Sequence, residues 1–131
     1  MKAKKRAAKR PLFSVIVVDD DPTLLAVAER TAQMQGIAVT TCGSLSELDV
    51  LAMPGVFDVA VVDYYLDGMA HSLQGAQIAK WFGTTPVVFM SSDGALLKST
   101  AGWPQNVKAF VQKHEGMLRI FRKAAEHVCK R

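Results

Sequence analysis

Short apolar runs alternate along the chain with stretches in which apolar positions recur at helical spacing. Each run is continuously apolar rather than alternating with polar residues, which is typical of strands buried on both faces of a sheet. Five strands are predicted, at Phe13–Val18, Ile37–Thr41, Val56–Val62, Val87–Met90 and Val107–Val111. Because strands and helices alternate, the pattern predicts a doubly wound α/β fold with a parallel sheet between two layers of helices.

Five helices are predicted from local start and stop signals. Asp21 provides an N-cap and Pro22 a first-turn proline for the first helix, which ends before Gly36. Ser44 and Glu47 have the spacing of a capping box and open the second helix. The second helix ends near Met53, and the others are predicted at Gln74–Phe82, Ala95–Ala101 and about Glu115–Cys129. The apolar stripe of the last helix is expected at Leu118, Phe121, Ala125 and Val128.

Size and composition indicate one domain. The chain has 131 residues, of which 50% are hydrophobic and 21% charged, and a chain of this length builds one core rather than two. Its longest apolar runs are far shorter than the roughly 20 residues that cross a bilayer, so no membrane span is predicted. Two cysteines, Cys42 and Cys129, favour a reduced chain in the cytoplasm.

The net charge of +4 is unevenly distributed. Residues 1–10 contain no acidic residue, and we expect them to form a flexible basic tail ahead of a domain at residues 11–131. The basic residues of the tail are Lys2, Lys4, Lys5, Arg6, Lys9 and Arg10. Such a tail attracts nucleic acid or an acidic membrane surface, although many basic tails only improve solubility, so an anionic partner is a weak candidate.

Acidic residues follow two of the predicted strands. Asp19, Asp20 and Asp21 come directly after the first strand, and Asp63 follows the third. If the strand order is 2-1-3-4-5, the first and third strands are neighbours and these acids meet in one crevice at the carboxyl edge of the sheet. Clustered carboxylates need a cation between them, and oxygen ligands alone favour Mg²⁺ or Mn²⁺.

A hydroxyl and an ammonium group are predicted at the same edge. The fourth strand ends at Ser91 and the fifth is followed by Lys113. Transfer of a phosphoryl group requires a nucleophile, a metal ion and donors for the remaining phosphoryl oxygens. Asp63, a metal ion on Asp19 and Asp20, Ser91 and Lys113 supply each of these parts.

Four segments at these positions resemble the receiver domain of two-component response regulators, and the resemblance extends over residues 12–130. They are Val-Val-Asp-Asp-Asp-Pro (17–22), Val-Val-Asp-Tyr-Tyr-Leu-Asp-Gly (61–68), Pro-Val-Val-Phe-Met-Ser-Ser (86–92) and Lys-Ala-Phe-Val-Gln-Lys (108–113). The resemblance implies a flavodoxin-like doubly wound fold, with a five-stranded parallel sheet in the order 2-1-3-4-5 and five helices.

The resemblance also implies roles for the acids. Asp63 would be the phospho-acceptor. Asp20, Asp63 and the backbone carbonyl of Tyr65 would hold Mg²⁺, with Asp19 assisting directly or through water. The phosphoryl group would come from a histidine kinase or a phosphotransfer domain, so the chain would be a signalling domain that assists its own phosphorylation and its slow hydrolysis.

Activation and output are implied in the same way. Ser91 would bond a phosphoryl oxygen, Lys113 would pair with it, and Phe110 would be the switch aromatic. An unknown protein target would dock on the face formed by helix 4, strand 5 and helix 5, and the chain would be a monomer or a phosphorylation-linked dimer. We expect either a stand-alone receiver or a module of a longer hybrid protein.

Three positions depart from the family pattern. Asp67 occupies the place of a proline that usually follows the acceptor, and Gly75 comes later than the usual glycine, so the loop at 67–75 is expected to be enlarged. His114 follows Lys113 where the family commonly has a proline with a cis bond before it. Because a cis bond before a residue other than proline costs about 2.5–4 kcal/mol, we expect the Lys113–His114 peptide to be trans.

Two other functions stay open. The segment from Val15 to Thr23 also fits the Asp-x-Asp-x-Thr motif of haloacid-dehalogenase-like phosphatases, with Asp19 and Asp21 as the acids, but this hypothesis gives Asp63 no purpose. A pseudo-receiver that acts as a phosphorylation-independent scaffold is the second. A dinucleotide-binding fold is excluded, since acids stand where the Gly-x-Gly-x-x-Gly motif would be.

Overall fold

The computed structural model describes residues 12–44, 47, 56–64, 78–92 and 103–128. Five strands in these ranges form one parallel sheet in the order β2-β1-β3-β4-β5. They are β1 (Ser14–Val18), β2 (Ala38–Cys42), β3 (Val59–Asp63), β4 (Val87–Ser91) and β5 (Val107–Gln112). The predicted strand order is therefore confirmed, and with it the doubly wound fold class.

Both faces of the sheet are buried, which explains the uninterrupted apolar runs. Alternate residues of the central strands belong to two separate cores. The first core lies under two helices, and its strand residues include Val15, Val17, Val59, Val61, Val88 and Met90. The second lies on the opposite face, and its strand residues include Ile16, Val18, Ala60, Val62, Val87 and Phe89.

The first and last predicted helices are observed as α1 (Pro22–Gln35) and α2 (Met117–Ala125). Asp21 caps α1 by accepting the Thr23 N–H at 2.9 Å, and Gly36 ends it in the left-handed conformation at φ 74°. Residues 78–81 are helical and belong to the third predicted helix. The predicted helix at 95–101 lies outside the described residues, as does most of the second. None of the described helices is long and apolar enough to cross a membrane.

The capping box that opens the second predicted helix is only half as expected. The Glu47 N–H donates to Ser44 Oγ at 3.2 Å, as a capping box requires. The Glu47 carboxylate, however, accepts the N–H of Gly43 rather than that of Ser44. Its second bond therefore lies one residue earlier in the chain than predicted.

The last helix begins later than predicted and buries a different face. Lys113–Glu115 form a 3₁₀ turn, here called η1. Gly116, at φ 94°, separates η1 from α2. Leu118 is 39% exposed, and Ala125 is exposed as well. The buried residues of α2 are instead Met117, Ile120, Phe121 and Ala124. The predicted stripe was wrong at Leu118 and Ala125, because Met117, Ile120 and Ala124 form a second apolar stripe at helical spacing and this one packs into the first core.

The third strand also begins later than predicted, at Val59 rather than Val56. Val56 is 55% exposed. Asp58 accounts for the shift, because its Oδ2 accepts the N–H of Ser14 at 2.9 Å and its own N–H donates to the Ser14 carbonyl at 3.0 Å. The Asp58 side chain thus replaces a backbone carbonyl as the acceptor of the Ser14 N–H, while the backbone N–H of Asp58 still bonds to Ser14.

Candidate functional site

Asp19 and Asp63 lie side by side because β1 and β3 are hydrogen-bonded neighbours. Val18 and Val62 are partners in the parallel register, so the residues that follow them leave the sheet together. Oxygens of Asp19, Asp20 and Asp63 lie within 4.8 Å of one another. The sheet therefore assembles three carboxylates from two strands that are not consecutive in the chain.

The three consecutive acids after β1 have different surroundings. Asp19 is completely buried; its N–H donates to the Cys42 carbonyl at 3.0 Å, and its Oδ1 accepts the Asp21 N–H at 2.9 Å. Asp21 points away to cap α1. Asp20 is exposed yet remains within the acidic cluster. A single turn thus provides one buried carboxylate, one open carboxylate and one helix cap.

Lys113 joins this cluster from the far end of the sheet. Its Nζ lies 2.8 Å from Asp19 Oδ2 and 3.3 Å from Asp63 Oδ2. The Lys113 side chain is 23% exposed, while Asp63 is only 3% exposed. The ammonium therefore bridges the two buried carboxylates and leaves Asp20 as the acid open to solvent.

Burial and pairing act in opposite directions on the pKa values of this pair. Burial raises the pKa of Asp19, and the Lys113 ammonium and the Asp21 N–H offset this only in part. Burial works to lower the pKa of Lys113, but Asp19 and Asp63 outweigh it, so the pKa lies above its ordinary value. Lys113 consequently stays charged throughout the neutral range.

Ser91 lies on β4, the strand next to β3, and Phe110 lies on β5, the strand beyond it. Ser91 is the fully buried last residue of β4, and it is the register partner of Gln112, the residue before Lys113. The N–H of Tyr64 donates to the Met90 carbonyl at 2.9 Å, which ties the residue after Asp63 to the residue before Ser91. Ser91 thus ends its strand at the same sheet edge as Asp63 and Lys113.

Phe110 belongs to a cluster of four aromatic rings. Its ring is stacked on that of Trp103, with centroids 5.9 Å apart, and lies edge-on to the buried ring of Tyr64 at 6.4 Å. Phe89 completes the cluster and contacts both Tyr64 and Trp103. Of these four rings, the resemblance to receiver domains implied a role for Phe110 alone. The one signal for a larger cluster was the position of Tyr64 directly after Asp63.

Of three predictions about the backbone around the site, the structure describes only the one for the Lys113–His114 peptide. Tyr65, the predicted carbonyl ligand, and the predicted enlarged loop at 67–75 lie outside the described residues. The Lys113–His114 peptide lies within them. The part of the chain that the structure describes contains no cis peptide bond, so this peptide is trans, as expected.

A family model described as the response regulator receiver domain matches residues 15–125. The chain belongs to that family. Over 85 residues this receiver is 35% identical to the two-component response regulator ORR26 of Oryza sativa subsp. japonica. That match covers 61% of the chain and 14% of the rice protein, so the receiver corresponds to a small part of its relative's length.

Solved structures show the same fold at low sequence identity. The chemotaxis response regulator CheY4 of Vibrio cholerae superposes with a TM-score of 0.65 and 19% identity, over 88% of this chain and 99% of that one. The response regulator TrrA of Thermotoga maritima, solved in complex with Mg²⁺ and BeF, gives a TM-score of 0.71 and 18% identity, over 89% and 100% of the two chains. The receiver is therefore a two-component signalling domain with the flavodoxin-like fold predicted from its sequence.

The donor chemistry of the acidic cluster fits a hard divalent cation. Its three groups are all carboxylates, the ligand type that Mg²⁺ and Mn²⁺ prefer. Three carboxylates and the Lys113 ammonium leave two negative charges when all are ionised, and one divalent ion balances them. Asp20 is exposed and does not take part in the Lys113 bridge, so it is the carboxylate that such an ion can reach from solvent.

The capping role of Asp21 argues against the phosphatase hypothesis. Asp21, the second acid of that motif, caps α1. The family match likewise favours a receiver over a phosphatase.

Proposed function

We propose that this receiver accepts a phosphoryl group on Asp63, with Mg²⁺ or Mn²⁺ held by Asp19, Asp20 and Asp63. The observation that supports this most directly is the convergence of three carboxylates and one ammonium at a single sheet edge. The backbone carbonyl of Tyr65 is a further ligand in this proposal. Mg²⁺, when bound, would offset the charge of the phosphoryl oxygens as an oxygen of Asp63 attacks.

The donor in this proposal is the phosphohistidine of a histidine kinase or phosphotransfer domain. A carboxylate oxygen of Asp63 forms the new P–O bond as the P–N bond breaks, and the departing imidazole nitrogen keeps the electron pair and takes a proton from water. Lys113 is placed for this step, because its ammonium is already 3.3 Å from Asp63 Oδ2. It offsets charge that would otherwise build up next to a buried carboxylate.

Ser91 and Phe110 are the switch in this proposal. Ser91 carries a hydroxyl at the end of the strand next to Asp63, where it would donate to a phosphoryl oxygen after transfer. Phe110 and its aromatic neighbours would then repack, which shifts the equilibrium between two arrangements of β4 and β5. The target protein docks on the face formed by residues 95–101, 107–111 and 115–129, either on a monomer or on a phosphorylation-linked dimer.

Residues 1–10 are assigned in this proposal as a basic tail, with at most a weakly held anionic partner, and residues 11–131 as the receiver domain. A kinase donor and the buried thiol of Cys42 fit a cytoplasmic location. Amide NMR spectra with and without beryllofluoride test the output face. Shifts in β5 and α2 are expected, and unchanged spectra there would contradict this docking surface.

Mass spectrometry of the intact protein tests the acceptor. The protein is incubated with Mg²⁺ and acetyl phosphate, and we expect a base-labile adduct of about 80 Da in the wild type. Asp63→Asn should lose the adduct. Asp21→Asn is the matched control, because asparagine keeps the N-cap of α1 and the residue is outside the proposed machinery.

Each other outcome of that experiment rejects the proposal in a specific way. An adduct that persists in Asp63→Asn and maps to Asp19 would indicate the phosphatase mechanism. No adduct in the wild type, together with no spectral response to beryllofluoride, would indicate a phosphorylation-independent scaffold.

A further inference from the structure

Lys113 reaches the site from a backbone position just beyond the end of β5. It is the first residue of the 3₁₀ turn η1, directly after the last residue of β5. Gln112 is still in register with Ser91 of β4, whereas Lys113 has left the ladder. The direction in which the chain leaves β5 therefore decides whether the ammonium meets Asp19 and Asp63.

Three hydrogen bonds fix that direction, and two of them form a capping box in which the Gln112 side chain accepts the Glu115 N–H. Glu115 Oε2 accepts the N–H of Gln112 at 3.2 Å, so the side chain closes back on the residue before Lys113. The Gly116 N–H donates to the Lys113 carbonyl at 3.1 Å and closes the turn on its other side. The peptide between Lys113 and His114 is trans, so the turn depends on these bonds and not on a proline ring.

Glu115 acts on Lys113 through the backbone rather than through its charge. The charges that move the pKa of the Lys113 ammonium are those of Asp19 and Asp63. Glu115 is exposed, and its hydrogen bond to Gln112 is exposed as well. A neutral acceptor of the same length should therefore perform the same task.

We propose that Glu115 is the positioning residue of Lys113: by accepting the Gln112 N–H, it sets the turn that brings the ammonium to Asp63. The consequence for phosphoryl transfer rests on the proposed function, because Lys113 matters to the rate only if Asp63 is the acceptor. The effect of Glu115 on the position of Lys113 does not rest on the proposed function, since Lys113 contacts Asp19 and Asp63 without a phosphoryl group.

The labelling rate tests this role with three variants. Glu115→Ala removes the acceptor, Glu115→Gln keeps it without the charge, and Glu126→Ala removes a comparable exposed acid from the region after α2. At saturating Mg²⁺, we expect acetyl phosphate to label Glu115→Ala about threefold to tenfold more slowly than the wild type. This is the effect expected when one hydrogen bond that orients a group in the site is lost. The other two variants should stay within about twofold of the wild type.

A merely structural or electrostatic role gives different results. If Glu115→Gln is as slow as Glu115→Ala, the charge is responsible and the proposal is wrong. If Glu115→Ala is labelled at the wild-type rate, Glu115 does not position Lys113. Failure of the wild type to be labelled on Asp63 would instead reject the proposed function.

A measurement without a phosphodonor decides the positioning role in that last case. NMR of the lysine ammonium groups should show a slowly exchanging Lys113 signal in the wild type and in Glu115→Gln, because the group is held between two carboxylates. In Glu115→Ala this signal should lose most of its intensity. An equally strong Lys113 signal in Glu115→Ala would overturn the proposal whatever the labelling shows.

Discussion

Replacing Lys113 with methionine should destabilise the receiver strongly in the absence of divalent ions. Methionine keeps an unbranched side chain of similar length but removes the ammonium that lies between Asp19 and Asp63. At an effective dielectric constant of about 20, charges at 2.8 and 3.3 Å attract by about 6 and about 5 kcal/mol. Desolvation of the three groups cancels much of this.

The net loss of unfolding free energy in Lys113→Met is larger than for a surface ion pair, because the two carboxylates remain buried. Removal of one partner from a buried pair costs about 3–5 kcal/mol, and the partial exposure of Lys113 reduces this to an expected loss of about 2–3 kcal/mol. Lys123→Met is the matched control. Its ammonium lies 3.4 Å from Glu126 Oε1 with both side chains well exposed, so a loss below about 0.5 kcal/mol is expected.

Urea denaturation in EDTA and in Mg²⁺ measures both effects. In Lys113→Met no ammonium competes for the carboxylate oxygens, so Mg²⁺ should stabilise this variant more than the wild type. An ion present at 100 times its dissociation constant contributes about 2.7 kcal/mol. A loss below about 0.5 kcal/mol in EDTA would refute the reasoning about the Lys113 bridge. An equal gain from Mg²⁺ in both proteins would refute the assignment of the ion to the same oxygens.

Three further predictions concern the described residues. The pKa of Lys113 is raised on folding, so the stability that its ion pairs contribute is complete below about pH 10.4 and declines as pH rises through the pKa of the folded state. The difference in unfolding free energy between wild type and Lys113→Met should therefore shrink in that range. A constant difference would contradict this. Asn106→Ala should cost about 2–3 kcal/mol in urea denaturation, since buried Nδ2 donates to the carbonyls of Ala79 at 2.7 Å and Thr85 at 3.0 Å; a loss below about 1 kcal/mol would be inconsistent. Gly116→Ala should cost about 1–3 kcal/mol from backbone strain alone, because φ is 94° and a Cβ would meet no atom within 4 Å; unchanged stability would contradict it.

Continuous apolar runs in the sequence predicted strands inside a covered sheet, and the resemblance to receiver domains implied their order. With β1 and β3 as parallel neighbours, the acids directly after them had to emerge at one edge. Asp19, Asp63 and Lys113 accordingly lie together. Their individual roles in phosphoryl transfer stay predictions.

The details that could not be predicted depend on competition between backbone and side-chain hydrogen bonds. Apolar residues at 56–62 favoured a strand from Val56, but the Asp58 carboxylate takes the N–H of Ser14 and the strand begins at Val59. Helical spacing in the last helix fits two apolar stripes, and only the packing of Met117, Ile120 and Ala124 into the first core decides which one is buried. The partnership of Glu115 with Gln112 likewise depends on the local turn.

The sheet order has a consequence for when the site comes into existence. Asp19 follows β1, Asp63 ends β3, and Lys113 follows β5, an edge strand and the last of the described strands along the chain. During synthesis the acids therefore leave the ribosome before the ammonium that bridges them. A chain that stops before Lys113 has both buried carboxylates but lacks their ion pairs.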